Sequence, residues 1–160
     1  MTRARLCELL HYERKTGQFR WRKRMSRSVH AGAVAGTLDK DSYRKIAIAR
    51  RQYRAHQLAW LFITGEWCPV MIDHRDGDPS NNRWTNLRRA TVSQNNANRG
   101  LHRSNTCGLK GASRHRSRWR ATIHKNGRRY HLGVFQTPQA AHAAYAKAAR
   151  KLFGEFARTE

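Results

Sequence analysis

The 160-residue sequence predicts an α+β protein built from two small modules. Three observations lead there. Short runs alternating apolar and polar side chains recur between Gly- and Asn-containing turns, the pattern of small antiparallel sheets. Between and after them lie helix-like segments, at 55–63 and 137–153 from their apolar residues and at 91–99 from its N-capping Thr. Charge divides the chain as well: residues 1–54 carry fifteen Lys/Arg against four acids, residues 55–100 five against four, and residues 101–160 thirteen against two. A nearly neutral centre is thus flanked by two basic arms. The expected organisation is a first module over 1–100 whose core, about 70–99, is two strands and a helix. A linker at 101–107 leads to a second module over 108–157, a three-stranded antiparallel sheet packed on one helix.

Composition narrows the partners. A net charge of +23 opposes compaction and calls for a polyanion. Binding a membrane surface would take one continuous basic amphipathic helix, which the sequence lacks. Hydrophobic residues at 39%, with five Trp, allow a modest core. Cys7, Cys68 and Cys107 are far apart and form no Cys-x-x-Cys pair, so neither disulfides nor a zinc knuckle is indicated. The longest apolar run, 58–64, is too short to span a bilayer, and no signal peptide precedes it. The expectation is an intracellular, cytoplasmic protein near the nucleoid. No dimer seam or protein partner is evident, which predicts a monomer.

Taken in order, residues 3–12 read as a short helix with Leu6, Leu9 and Leu10 on one side. A turn at Gly17 leads to a strand at 18–22, with Phe19 and Trp21 on one face and Arg20 and Arg22 offered to DNA on the other. Residues 23–35 have no periodicity and read as a mobile basic loop, either a linker or a DNA contact. Tyr43, Ile46 and Ile48 suggest a strand, and 55–63 a helix stopped by Gly65. His56 and Trp60, four apart, share a helix face, and His56 reads as structural, packed and hydrogen-bonded. A buried strand at 70–73 ends in Asp73-His74 and an Asp- and Gly-rich turn. Residues 87–90 return as a second strand, and Thr91 N-caps a helix to about 99.

Three of the ten acids fall between positions 73 and 78, a concentration that suits a divalent cation. Hydrolysing a phosphodiester needs a base for water and a cation for the developing charge. Asp73 supplies a hard oxygen ligand suited to Mg²⁺ (or Mn²⁺), and Asn95 can present its amide oxygen from the helix. His74 can take the proton of water, since imidazole titrates near neutrality. Asn86, just before the return strand, can pin the loop. Asp76, Asp78 and Asn81 read as turn formers. Because neighbours on a strand point to opposite faces, Asp73 and His74 can meet only if the strand ends or twists there.

In the last third, 109–115, 118–124 and 129–135 read as strands, with a hairpin turn at Asn126-Gly127. Trp119, Ala121 and Ile123 alternate with Arg118, Arg120 and Thr122. Thr137-Pro138 starts a helix whose stripe is Ala141, Ala144, Tyr145, Ala148 and Leu152, ended by Gly154.

Ala55-His56-x-Leu58-Ala59-Trp60, Ile72-Asp73-His74, Gly77-Asp78, Asn81-Asn82-Arg83-x-x-Asn86-Leu87-Arg88 and Gln94-Asn95-Asn96 resemble the HNH endonucleases of phage homing type, over about 40–100. The resemblance implies a ββα-metal DNA endonuclease with His74 as general base, Asp73 and Asn95 as metal ligands (Asn96 being the alternative) and Asn86 as the motif's structural asparagine. Gly108-Leu109-Lys110-Gly111, Trp119-x-Ala121-x-Ile123, Leu132-Gly133-x-Phe135-x-Thr137, Ala140-Ala141-x-Ala143-x-Tyr145 and Phe153-Gly154 resemble the plant ethylene-response-factor (APETALA-type) DNA-binding domain. That implies double-stranded DNA against Lys110, Arg114, Trp119, Arg120 and Arg129. Thr122 and His131 stand where that family often has Glu and Trp, so its target sequence does not transfer.

Overall fold

A computed structural model describes residues 1–102 and 104–160, which form two compact units, Met1–Arg89 and Ala90–Glu160. The molecule is α+β, with four α-helices and several small sheets among the described residues. No helix among the described residues is long and apolar enough to cross a membrane.

In the first unit, Thr2 caps α1 (Arg3–Leu9) by accepting from Arg5 N. The helix is shorter than expected. Leu10 is already extended, and Leu10–Glu13 form strand β1, antiparallel to β2 (Gln18–Trp21). The strand is favoured because it buries Leu10 and Tyr12 on alternate positions and stacks Tyr12 on Phe19, ring centroids 4.8 Å apart. The basic loop that follows is tied back onto β2: Trp21 N donates to Ala33 O at 3.0 Å and Ala35 N to Phe19 O at 2.7 Å. Two strands went unread in the sequence, β3 (Thr37–Leu38) and β5 (Arg51–Arg54), which flank β4 (Arg44–Ile48) in one antiparallel sheet. Helix α2 (Ala55–Thr64) ends at Gly65 in the left-handed conformation. Its Leu58, Ala59 and Leu61 complete a core with Leu6, Leu10, Phe19 and Ile46. Strand β6 (Met71–His74) pairs with β7 (Leu87–Ala90), reached through a 3₁₀ turn at Trp84–Asn86.

The second unit starts with α3 (Val92–Asn98). Thr91 and Gln94 form a reciprocal capping box at its start. The units divide at 89/90, ahead of this helix, rather than near residue 100. The reason is packing: Ala97 is buried with Ile123, Tyr145, Ala149 and Phe153. Lys110 Nζ donates to Ala97 O at 2.7 Å, to Arg158 O at 2.8 Å and to Arg99 O, clasping the carbonyl end of α3. Strands β8 (Ala112–His115), β9 (Arg118–Lys125) and β10 (Arg128–Phe135) form an antiparallel sheet in the order β10-β9-β8. Helix α4 (Pro138–Phe153), capped by Thr137 with Pro at its first turn, covers one face. Its buried line runs through Ala141, Tyr145, Ala149 and Phe153, with Ala144, Ala148 and Leu152 half-buried at its edge. The expected stripe is thus turned by about one residue.

Candidate active site

The site is built around the end of β6. Asp73 and His74 are 4% and 6% exposed, both far more enclosed than a surface turn would leave them. They are held by different partners. Asp73 Oδ2 accepts from Arg88 Nε of β7 at 2.8 Å, a charge-assisted bond between two buried groups. The His74 ring lies between His56 and Tyr43, with centroids at 5.1 and 6.1 Å, and its Nε2 is 3.4 Å from Asn82 Oδ1.

Asn82 Nδ2 donates to Ser80 O at 2.9 Å, which turns Oδ1 toward the imidazole. An amide oxygen can only accept, so this contact suits the neutral tautomer with its proton on Nε2. Burial lowers the pKa of His74 against the opposing pull of Asn82, Asp76, Asp73 and Asp78. The ring is therefore a neutral base near pH 7. Asn82, 1% exposed, was missed in the sequence. Its neighbour Asn81 resembles it in sequence, and only burial tells them apart. Two residues far upstream hold it: Tyr12 Oη donates to Asn82 O at 2.6 Å, and Gly17 packs directly on the Asn82–Arg83 peptide.

Asn86 organises the turn. Its Oδ1 accepts from Asp76 N at 3.1 Å, and its Nδ2 donates to Asp76 Oδ1 at 2.9 Å and Asn81 O at 2.8 Å. Arg75 N donates to Asn86 O at 2.9 Å. Asp76 also accepts from Asp78 N and Asn81 Nδ2. Although partial burial opposes it, these hydrogen bonds hold its carboxyl below the usual carboxylate range. Asp76, Asp78 and Asn81 thus act as loop scaffold. His56, on α2, is 5% exposed, and its pKa is lowered to about 3 by burial first, then by His74 and Arg54.

Asn95 lies on α3 in the other unit, half-buried, whereas Asn96 is exposed. Among the described residues no three His, Cys, Asp or Glu converge on a point. A closed cage of the zinc kind is not what these residues make. Asp73 supplies one buried hard carboxylate oxygen, the kind of donor that suits a hard cation which keeps most of its waters.

The residues expected to meet DNA fall in several environments. Arg20 and Arg22 are exposed, though Arg20 bonds Gly32 O and Arg22 bonds Leu10 O. Buried Ala121 and Ile123 mark the α4 side of β9, so Arg120 and, through its pairing with His124, Arg129 lie on the opposite, uncovered face. Trp119 belongs to the α4 side, with the Arg114 guanidinium 5.4 Å from its ring centroid. Lys110 is not on the open face. Its ammonium is taken up by the three carbonyls named above, and burial, aided by Arg158, lowers its pKa to about 8.

Residues 53–97 match the HNH endonuclease family. The chain is 37% identical over 111 residues to Protein 3.8 of Escherichia phage T7, covering 66% of this chain and 88% of that protein. It is also 35% identical over 88 residues to an uncharacterized HNH endonuclease of Acanthamoeba polyphaga mimivirus, covering 55% of this chain and 46% of the mimivirus protein.

Proposed function

The chain belongs to the HNH endonuclease family, and from that premise we propose a divalent-metal-dependent, phage homing-type endonuclease that hydrolyses double-stranded DNA in the host cytoplasm. The observation carrying this reading is the buried His74 imidazole, held neutral by burial and facing Asn82 Oδ1 at 3.4 Å, next in the chain to the buried Asp73. In the proposed reaction His74 takes a proton from water as the water oxygen bonds to phosphorus. The 3′ oxygen then leaves and is protonated, giving a 5′-phosphate and a 3′-hydroxyl. Mg²⁺ or Mn²⁺, held by Asp73 and Asn95 (or Asn96), would neutralise the charge that builds on the phosphate. Arg88 keeps the Asp73 carboxylate in place, and Asn86 pins the loop on which both neighbours depend.

The second unit we propose to be a DNA-binding domain of the ethylene-response-factor (APETALA) type. Its support is a three-stranded sheet on one helix with Arg118, Arg120 and Arg129 on the uncovered face. Arg20 and Arg22 would add phosphate contacts. As a monomer with one active centre, the protein would nick.

Supercoiled plasmid incubated with Mg²⁺ should be relaxed by the wild type, and left intact in EDTA or by His74→Ala. The second reading, a DNA-binding regulator with an inactive nuclease fold, is favoured by the near-complete enclosure of His74. It predicts that wild type and His74→Ala both bind the plasmid and both leave it intact.

A further inference from the structure

The β4–β5 hairpin departs from the residue chemistry that its turn demands. Ile48 pairs with Arg51, so the connection has two residues, Ala49 and Arg50, and both have positive φ, 49° and 64°. A two-residue hairpin of this kind needs left-handed conformations at both central positions, which Asn and Gly adopt readily. A side chain with a Cβ meets its own following carbonyl there. The β9–β10 hairpin of the same chain follows the rule, with Asn126 and Gly127 at φ 51° and 76°. The β4–β5 tip instead places an alanine and an arginine where they are strained, and backbone strain is kept where a side chain is needed.

The surroundings say what Arg50 is needed for. From 44 to 54 the hairpin carries five basic residues and no acid. Arg50 and Arg51 are exposed, and neither side chain has a hydrogen-bonding or ion-pairing partner among the described residues. Ile46 and Ile48 bury one face of the sheet, so Lys45, paired with Arg54, and Ala47, paired with Gln52, lie on the other. Lys45, Gln52, Tyr53, Arg54 and Gln57 line a shallow cleft of ≈ 320 Å³ along that side. The hairpin is a basic ribbon with an arginine at its apex.

We propose that the β4–β5 hairpin is a duplex-DNA contact in its own right, with Arg50 at its tip on the sugar-phosphate backbone. The contact is sequence-independent and separate from the active site and from the C-terminal sheet. It rests on the DNA reading above, but its test does not require cleavage. Fluorescence anisotropy with a short duplex of arbitrary sequence, in EDTA, is followed as a function of salt. Arg50→Gly should weaken binding by about 3- to 10-fold and reduce the slope of log K against log salt by about one. Its Tm should be unchanged or higher, because glycine relieves the turn. Arg50→Asn, which tolerates the same backbone, should lose affinity equally, and Arg50→Lys should retain it. Binding by Arg50→Gly and Arg50→Asn indistinguishable from wild type overturns the hairpin contact alone. A loss as large in Arg50→Lys as in Arg50→Gly also overturns it. Wild type without salt-dependent DNA binding overturns the DNA reading together with it.

Discussion

Replacing Gly17 by alanine should disturb the candidate active site from the far end of the β1–β2 hairpin. Gly17 has φ +76°, and a Cβ there would lie 2.3 Å from the Asn82 carbonyl carbon and 2.4 Å from Arg83 N. Carbon contacts are optimal at about 3.5–4.0 Å, so the two segments must part by about 1 Å. A non-glycine residue in this conformation costs about 1–2 kcal/mol, and overpacking typically adds about 1–3 kcal/mol. Alanine recovers about 0.4–1 kcal/mol by restricting the unfolded chain, leaving a net loss of about 1–5 kcal/mol, centred on about 3 kcal/mol. For a unit of this size that lowers Tm by about 10 °C or more. Moving the Asn82–Arg83 peptide also loosens the bond from Tyr12 and the contact with His74, so plasmid cleavage should slow at temperatures where the variant is still folded. Gly32→Ala is the control, because Gly32 has φ +84° with nothing within 4 Å of its Cβ. It bears the conformational cost alone and should cleave normally. Calorimetry and plasmid nicking on the same preparations settle it. Equal Tm losses in the two variants, or full cleavage by folded Gly17→Ala, would refute the coupling.

Other outcomes follow from the same geometry. Asn82→Ala should reduce cleavage by about tenfold or more, while Asn82→Asp, which keeps an acceptor for Nε2, should retain part of it; ¹⁵N shifts of the His74 ring report the tautomer directly. Arg88→Met removes the charged partner of the buried Asp73 carboxylate and should cost about 3–5 kcal/mol in urea denaturation. Adding Asp73→Leu to it should restore most of that loss, and no restoration would show that the loss does not come from the buried carboxylate. His56 has a folded pKa of about 3 against an ordinary 6.5, so its neutral form contributes stability in full above pH 6.5 and loses it as pH falls. Stability should fall by about 2 kcal/mol between pH 6.5 and 5 from this group, with His74 acting in the same direction. His56→Gln should flatten that slope, and an unchanged slope would place the acid sensitivity elsewhere.

The elements most legible in the sequence were those whose ends carry their own chemistry. Thr91 with Gln94, Thr137 with Pro138, Gly65 and the Asn126-Gly127 turn all mark boundaries that the structure keeps. Residues 3–12 misled because Leu6, Leu9 and Leu10 satisfy a helix, whereas Leu10 and Tyr12 also satisfy a strand, and the choice is made by Phe19 in the facing strand. Strand β5 was hidden by its basic residues, since only Tyr53 of the four is not exposed. In the site, the Asp73-His74 pair and Asn86 could be picked out from the turn that surrounds them. Asn82 and Arg88 could not, because what distinguishes them is burial against residues distant in the chain. Lys110 sat in a stretch full of exposed cations, and only the carbonyls of 97, 99 and 158 gathered around it mark it as a clasp.

That clasp has a practical consequence for anyone cutting the chain into pieces. Helix α3 has seven residues, too few to persist alone in water. Apart from Ala90, the buried apolar residues clustered with its Ala97, and the ammonium that closes its carbonyl end, come from residues 110 to 158. A fragment stopped near residue 100 would look complete by motif, yet it would lose Ile123, Tyr145, Ala149 and Phe153, with which Ala97 is buried, and the Lys110 ammonium that closes the helix.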